Sequence, residues 1–252
     1  MKNIIILLVF ITNIVSAQNA DALFSNANTL YKTGKYQKAI EVYNKIEASE
    51  ETSSELYFNI GNCYYKLNQV APSIYNYEKA LLINPSNEDA KNNLIIAKRL
   101  TLDRIEELPK SLFQKLNINY LQKLHYNSWA LVVIVFSIIA SVLFLLFYFS
   151  TNSVKKRFYF VTSILSFLLL LSSLIITYQQ YDTAKKTIEA IVFTKEVSIK
   201  NSPTQDSEEI FTLHEGTKIK VLDTVDDWKK IKLIDGKIGW LLSKDIKIIT
   251  IF

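Results

Sequence analysis

A single cysteine, Cys63, leaves this 252-residue chain unable to form an internal disulfide. Its two histidines, His125 and His214, stand far apart in different segments, so no paired metal-ligand spacing exists. A phosphate loop, a nucleophile elbow and a cofactor fingerprint are likewise missing. The expectation is therefore a protein with no cofactor, no metal and no catalytic residue, not an enzyme. Charge is absent from two apolar runs, Trp129–Phe149 and Phe158–Tyr178. That absence excludes an ion pathway or proton relay inside them.

The two runs are what the chain does have. Each holds 21 residues, and at about 1.5 Å per residue a helix of that length spans the roughly 30 Å hydrocarbon core of a bilayer. A membrane hairpin follows, with spans at 128–149 and 158–178 and a loop at 150–157. Crossing once in each direction puts the flanking polar segments in one compartment. Trp129 and Tyr178 suit the membrane interface, and Lys155-Lys156-Arg157 marks the loop as cytoplasmic. At the chain start, Lys2, the apolar stretch Ile4–Val15 and the small residues Ser16 and Ala17 form a secretory signal over 1–17, with Gln18 as the mature start. An uncleaved anchor, the alternative, gives the same orientation. Both soluble parts are thus expected in the periplasm, with the protein in the cytoplasmic (inner) membrane.

The net charge of +5 does not indicate nucleic acid as a partner. Residues 18–124 carry 13 basic and 12 acidic side chains, and residues 195–252 carry 10 of each. The excess lies mostly in Lys2, the loop cations and Lys185-Lys186, where it serves topology.

Leu30–Ile40 and Tyr64–Ile74 repeat at an offset of 34 residues, and at the same offset Ala27 meets Gly61, Asn28 meets Asn62, Tyr43 meets Tyr77 and Asn59 meets Asn93. A 34-residue period of paired helices is the tetratricopeptide signature. Gly61, Tyr64, Tyr77, Ala80 and Pro85 occupy that motif's positions, as do Ala27, Gly34, Ala39 and Tyr43 in the first unit, whose proline position is Glu51. Pro72 belongs near the start of a helix, where its missing donor is harmless. Glu88–Arg104 reads as a capping helix with Ala90, Leu94, Ala97 and Leu100 on one face, and the cluster Asp103, Glu106 and Glu107 as its solvated end. Two repeats and a cap (18–104) are fewer than a solenoid usually needs, so docking on another surface or marginal stability is expected. The juxtamembrane stretch 105–127, rich in leucine, with Phe113, reads as an amphipathic linker, lying on the membrane or packed on the array.

Such an array presents a concave groove built from the first helix of each unit. Asn28, Asn59, Asn62 and Asn93 fall on its side, with Lys32 and Lys66 nearby, and form the candidate peptide groove. The competing reading has these amides solvated or capping turns. Asn28 and Asn59 match the carboxylate-clamp subclass, but its cationic positions hold Phe24, Asp89 and Asn93. Cys63, inside a repeat helix, is expected to be an inert buried thiol.

After a linker at 179–189, residues 190–252 change to short β-rich runs: 191–194, 197–200, 210–213, 218–225, 229–233, 238–242 and 246–251, with Asp235-Gly236 as a hairpin signal. Leu213, Gly216, Val221, Trp228, Ile231, Gly236, Gly239 and Trp240 together resemble the bacterial SH3 domain, an all-β barrel. Trp228 and Trp240 form its candidate ligand face, against the alternative of core and rim packing; Asp226 and Asp227 would disfavour anionic ligands beside Trp228.

The fold class is thus a multidomain membrane protein: all-α repeats, two transmembrane helices and an all-β SH3-like barrel. The order of these parts, with Asp103–Pro109 before the spans and Leu213–Thr217 followed by Asp227-Trp228 after them, resembles the aerotolerance family BatE. That resemblance implies a scaffold in an envelope and oxidative-stress complex, with von Willebrand A-domain membrane proteins, another tetratricopeptide protein and a MoxR-type ATPase encoded alongside. A peptidoglycan-binding envelope sensor is the alternative function, with peptidoglycan then a partner of the barrel.

Overall fold

Helix α1 covers residues 20–32 in the computed structural model, which describes residues 20–250 apart from 107 and 110. The signal segment and Glu107 lie outside the described residues. Helices α2 (Tyr36–Ala48), α3 (Ser54–Lys66), α4 (Val70–Ile83) and α5 (Glu88–Lys98) complete a helical array. Local chemistry places their ends. Gly34 and Asn68, 34 residues apart, both take positive φ, and Lys35 and Gln69 return their N–H groups to Leu30 and Tyr64. The Ser53 and Asn87 side chains cap α3 and α5 by accepting from Leu56 N and Ala90 N.

Ala27, Ala39, Ile40, Tyr43, Leu56, Tyr57, Ile60 and Cys63 form the array's core. Lys79, nearly buried, is neutralised by Glu47 at 2.7 Å and stacks over Tyr57.

Strands β1 (Ile188–Val192), β2 (Glu196–Lys200), β3 (Glu209–His214), β4 (Lys218–Val225), β5 (Trp228–Lys232), β6 (Ile238–Leu242) and β7 (Ile246–Ile248) pair antiparallel in the order β3-β2-β6-β5-β4-β1-β7. Inward residues from all seven strands, among them Val192, Ile199, Leu213, Ile219, Ile231, Leu241 and Ile246, share one core, so the sheet is curled into a barrel. Gly239 is required there: a Cβ on it would lie 2.3 Å from Ile199 Cγ2.

The array and barrel form one compact unit. Ala71, Ile74, Tyr77, Leu94 and Ala97 of the array bury an apolar patch together with Ile191, and Phe193 and Ile249 pack against it. The docking surface that a short solenoid needs is therefore supplied by the same chain. Each large aliphatic side chain so buried contributes about 1.5–3 kcal/mol.

Two expectations for the array are corrected here. The capping helix stops at Lys98, not Arg104, and Leu100 is exposed. Beyond it the chain leaves the helical path because Asp103 and Ile105 have better partners on the barrel, Ile105 against its core. Asp103 is accordingly not part of a solvated helix end.

The second unit comprises residues 109–187. Its helix α6 (Leu112–Asn119) starts with a reciprocal Ser111–Gln114 capping box and leaves Leu112 and Leu116 exposed. Helices α7 (Tyr126–Phe149) and α8 (Ser153–Lys186) are both long and apolar enough to cross a membrane. They pack side by side, with Trp129 Nε1 and Gln180 Nε2 both donating to Leu121 O. The expected loop 150–157 shrinks, because Asn152 caps α8 and draws Lys155, Lys156 and Arg157 into its first turns. The expected linker 179–189 is also mostly helical. Its helix-forming composition continues α8 to Lys186, which pairs with Asp182 one turn back, and β1 starts two residues later.

Candidate functional site

On the groove side, the asparagines are already engaged with one another. Asn28 Oδ1 accepts from Tyr43 OH at 2.6 Å and Asn59 Nδ2 at 3.3 Å; one period on, Asn62 Oδ1 accepts from Tyr77 OH and Asn93 Nδ2, both at 2.7 Å. This ladder ties α1 to α3 and α3 to α5. This structural role was not among those weighed from sequence, peptide contact and solvated capping, and the half-buried amides keep further donors and acceptors for a peptide. Lys32 and Lys66 are exposed beside it. Phe24, at a clamp position, packs edge-on against Tyr43. Cys63 is fully buried, and burial pushes its thiol up to about 12.

Trp228 and Trp240 come together on one outward face of the barrel. Strand alternation puts Trp228, Lys230 and Lys232 of β5 on that face with Ile238, Trp240 and Leu242 of β6. Neither tryptophan belongs to the buried core, and both are half-buried. A cleft of about 250 Å³ opens beside Trp228, lined also by Glu196, Ser198, Lys200, Leu242 and Lys244. Trp240 does not line it; Lys230 Nζ lies 5.7 Å from the Trp240 ring centre instead.

The residues that sequence reasoning left unassigned are those joining array to barrel. Asp103 accepts from His214 N at 2.7 Å and Thr217 Oγ1 at 2.5 Å, with His214 Nδ1 2.7 Å from its other oxygen. Burial works to raise the Asp103 carboxyl, but the Thr217 and His214 hydrogen bonds outweigh it and hold the group below its usual range. The same carboxylate raises His214 above the ordinary imidazole value. Glu78, almost fully buried, receives Lys98 at 2.9 Å and Lys218 at 2.8 Å, and Lys218 also meets Glu189 at 2.6 Å. Burial opposes the charge on Glu78 and Lys218 alike; pairing prevails, lowering the acid and raising the base. Tyr75 adds a hydrogen bond to Ile248 O and an edge contact with Phe193. Buried ion pairs roughly break even against desolvation, so the apolar patch supplies affinity and these charges fix the register.

Two family models for the tetratricopeptide repeat match residues 20–50 and 54–87, and the model for the bacterial SH3 domain matches residues 195–247. Tetratricopeptide repeats and a bacterial SH3 domain are present. Tetratricopeptide repeat protein 16 of Homo sapiens and of Macaca fascicularis is 31% identical over 64 residues, 25% of this chain and 7% of theirs. The Mus musculus protein of that name is 33% identical over 60 residues, 24% of this chain and 8% of its own. The chain thus spans less than a tenth of the length of these relatives.

Proposed function

We propose that this protein is a non-enzymatic adaptor anchored in the inner membrane by α7 and α8, with repeats and SH3 domain both in the periplasm, where they hold envelope proteins together. The observation that carries this is the buried joint of Asp103 and Glu78 with the barrel, which sets two interaction modules at a fixed separation. A joint between segments on either side of the apolar hairpin requires both in one compartment, which supports two crossings. The cations Lys155, Lys156 and Arg157 between the two helices support a cytoplasmic turn. The BatE-like order of parts supports an aerotolerance complex that includes von Willebrand A-domain membrane proteins and another tetratricopeptide protein.

Crosslinking in intact cells, gentle solubilisation and purification of the tagged chain test this reading. Recovery of A-domain or repeat proteins is the expected result; recovery of no protein would count against an adaptor. Because Asn28 and Asn62 hold the helices together, the groove is better tested by Lys32→Glu with Lys66→Glu, which should reduce recovery several-fold without loss of helix content.

The cleft beside Trp228 favours a second reading, a peptidoglycan-binding sensor. Sedimentation of the protein with purified cell-wall sacculi, lost on Trp228→Ala, would select it.

A further inference from the structure

Lysines on the barrel's outer face stand closer together than stability alone favours. Lys220 of β4 and Lys232 of β5 are direct cross-strand partners, and Lys230 follows two residues away on the same face. Like charges directly opposite one another on a sheet are destabilising. Among the described residues no carboxylate lies within ion-pair distance of Lys220, Lys230 or Lys232. Asp223 sits opposite Lys230 but accepts instead from Thr224 N.

The same face shows what it accepts. Lys218, two residues before Lys220 and on the same side of β4, is covered by Glu78 from the array and Glu189 from β1. One array carboxylate and one from β1 thus neutralise Lys218; Glu189 is also the cross-strand partner of Lys220, but its carboxylate is held by Lys218, which leaves the rest of the lysine row without an ion pair among the described residues. Beside the open part lie Trp240, opposite Lys230, and Ile238, opposite Lys232 and 44% exposed. Asp226 and Asp227, expected to repel anions from Trp228, lie in the turn at the other end of β5. The basic end is centred on Trp240.

We infer that the face formed by Lys220, Lys230, Lys232, Ile238 and Trp240 docks an acidic segment of a partner protein in extended conformation. Lys230 and Lys232 repeat at about 6.8 Å along the strand, the spacing at which an extended chain presents alternate side chains. Carboxylates at alternate positions reach the lysines, and the intervening contacts fall to the ring and the isoleucine. This rests on the adaptor reading and names the chemistry of one partner.

The test is binding of the full-length protein in detergent to a short labelled peptide alternating glutamate and serine, compared with its glutamine counterpart. The glutamate peptide should bind at least tenfold more tightly at low salt, and weaken as salt rises. Lys220→Gln with Lys232→Gln should lower its affinity about five- to tenfold while changing the melting temperature little, since the like-charge contact with Lys232 and the opposite-charge neighbour Glu189 are lost together. Lys195→Glu, a charge change in an exposed turn, should have little effect.

Equal binding of the two peptides would overturn the inference, as would affinity unchanged in the double variant, or a loss with Lys195→Glu as large as with the double variant. Sacculus binding without peptide binding would also overturn it and assign the barrel to the wall. Recovery of crosslinked partners, by contrast, tests the adaptor reading independently of this face.

Discussion

Gly216 and Gly34 both take positive φ, yet the two positions are not equivalent. A Cβ on Gly216 would lie 2.8 Å from Thr101 Cγ2 and 3.0 Å from Ile74 Cδ1, where the barrel meets the array, whereas nothing lies within 4 Å of one on Gly34. Gly34→Ala should therefore cost only the left-handed backbone penalty, about 1–2 kcal/mol. Gly216→Ala adds overpacking and should cost about 2–4 kcal/mol, read by urea unfolding of the whole protein. Cys63 makes a second residue-scale prediction. Its thiol is buried and held protonated at neutral pH, so a thiol reagent should label it only on unfolding. Rapid labelling of the folded protein would contradict the packing around α3.

Among elements, two contacts of array with barrel depend on pH: that of the segment after α5 with the end of β3, through Asp103 and His214, and that of α4 with β4, through Glu78 and Lys218. Asp103 is depressed below its ordinary 3.8 and Glu78 below 4.5, so their contributions are complete above those values and fade as pH falls through the lower native ones. His214 is raised above 6.5, so its contribution is complete below that value and fades as pH rises through the higher native one. The joint's contribution should therefore peak between about pH 4.5 and 6.5 and decline on both sides, read as the difference in unfolding free energy between the protein and Asp103→Asn; His125, lowered by burial, acts with the opposite sign below 6.5 and cancels in that difference. Asp103→Asn should reduce the unfolding free energy at that optimum by about 1–3 kcal/mol and flatten the alkaline decline. At this scale the helices and strands were legible from period and composition. The end of α5 was not, because Asp103 reads as an ordinary helix-end acid until His214 is beside it. The lysine face was equally hidden, since adjacent lysines on a strand disclose no cross-strand partner.

For the whole molecule, a buried joint between array and barrel makes them one compact unit of two modules, and topology becomes testable on that unit. In intact cells with a permeable outer layer, a membrane-impermeant thiol reagent should reach Lys32→Cys and Lys220→Cys but not Ser153→Cys. Cys63 provides a silent background because it is buried. Labelling at Ser153→Cys would refute the cytoplasmic turn, and labelling of only one of the modules would refute the two-crossing arrangement. The 34-residue period, the two uncharged 21-residue runs and the alternating strands were determined by the sequence itself, because each depends on local periodicity or on apolar length. Tertiary structure alone decided the asparagine–tyrosine ladder, the outward pairing of lysines and the Asp103–His214 joint. The two residues of that joint are 111 positions apart, with both apolar helices between them. Periodicity carries no information about which loop will meet which; that choice is made by the shape of the apolar patch around Ile74 and Ile191 and by the need to satisfy buried charge.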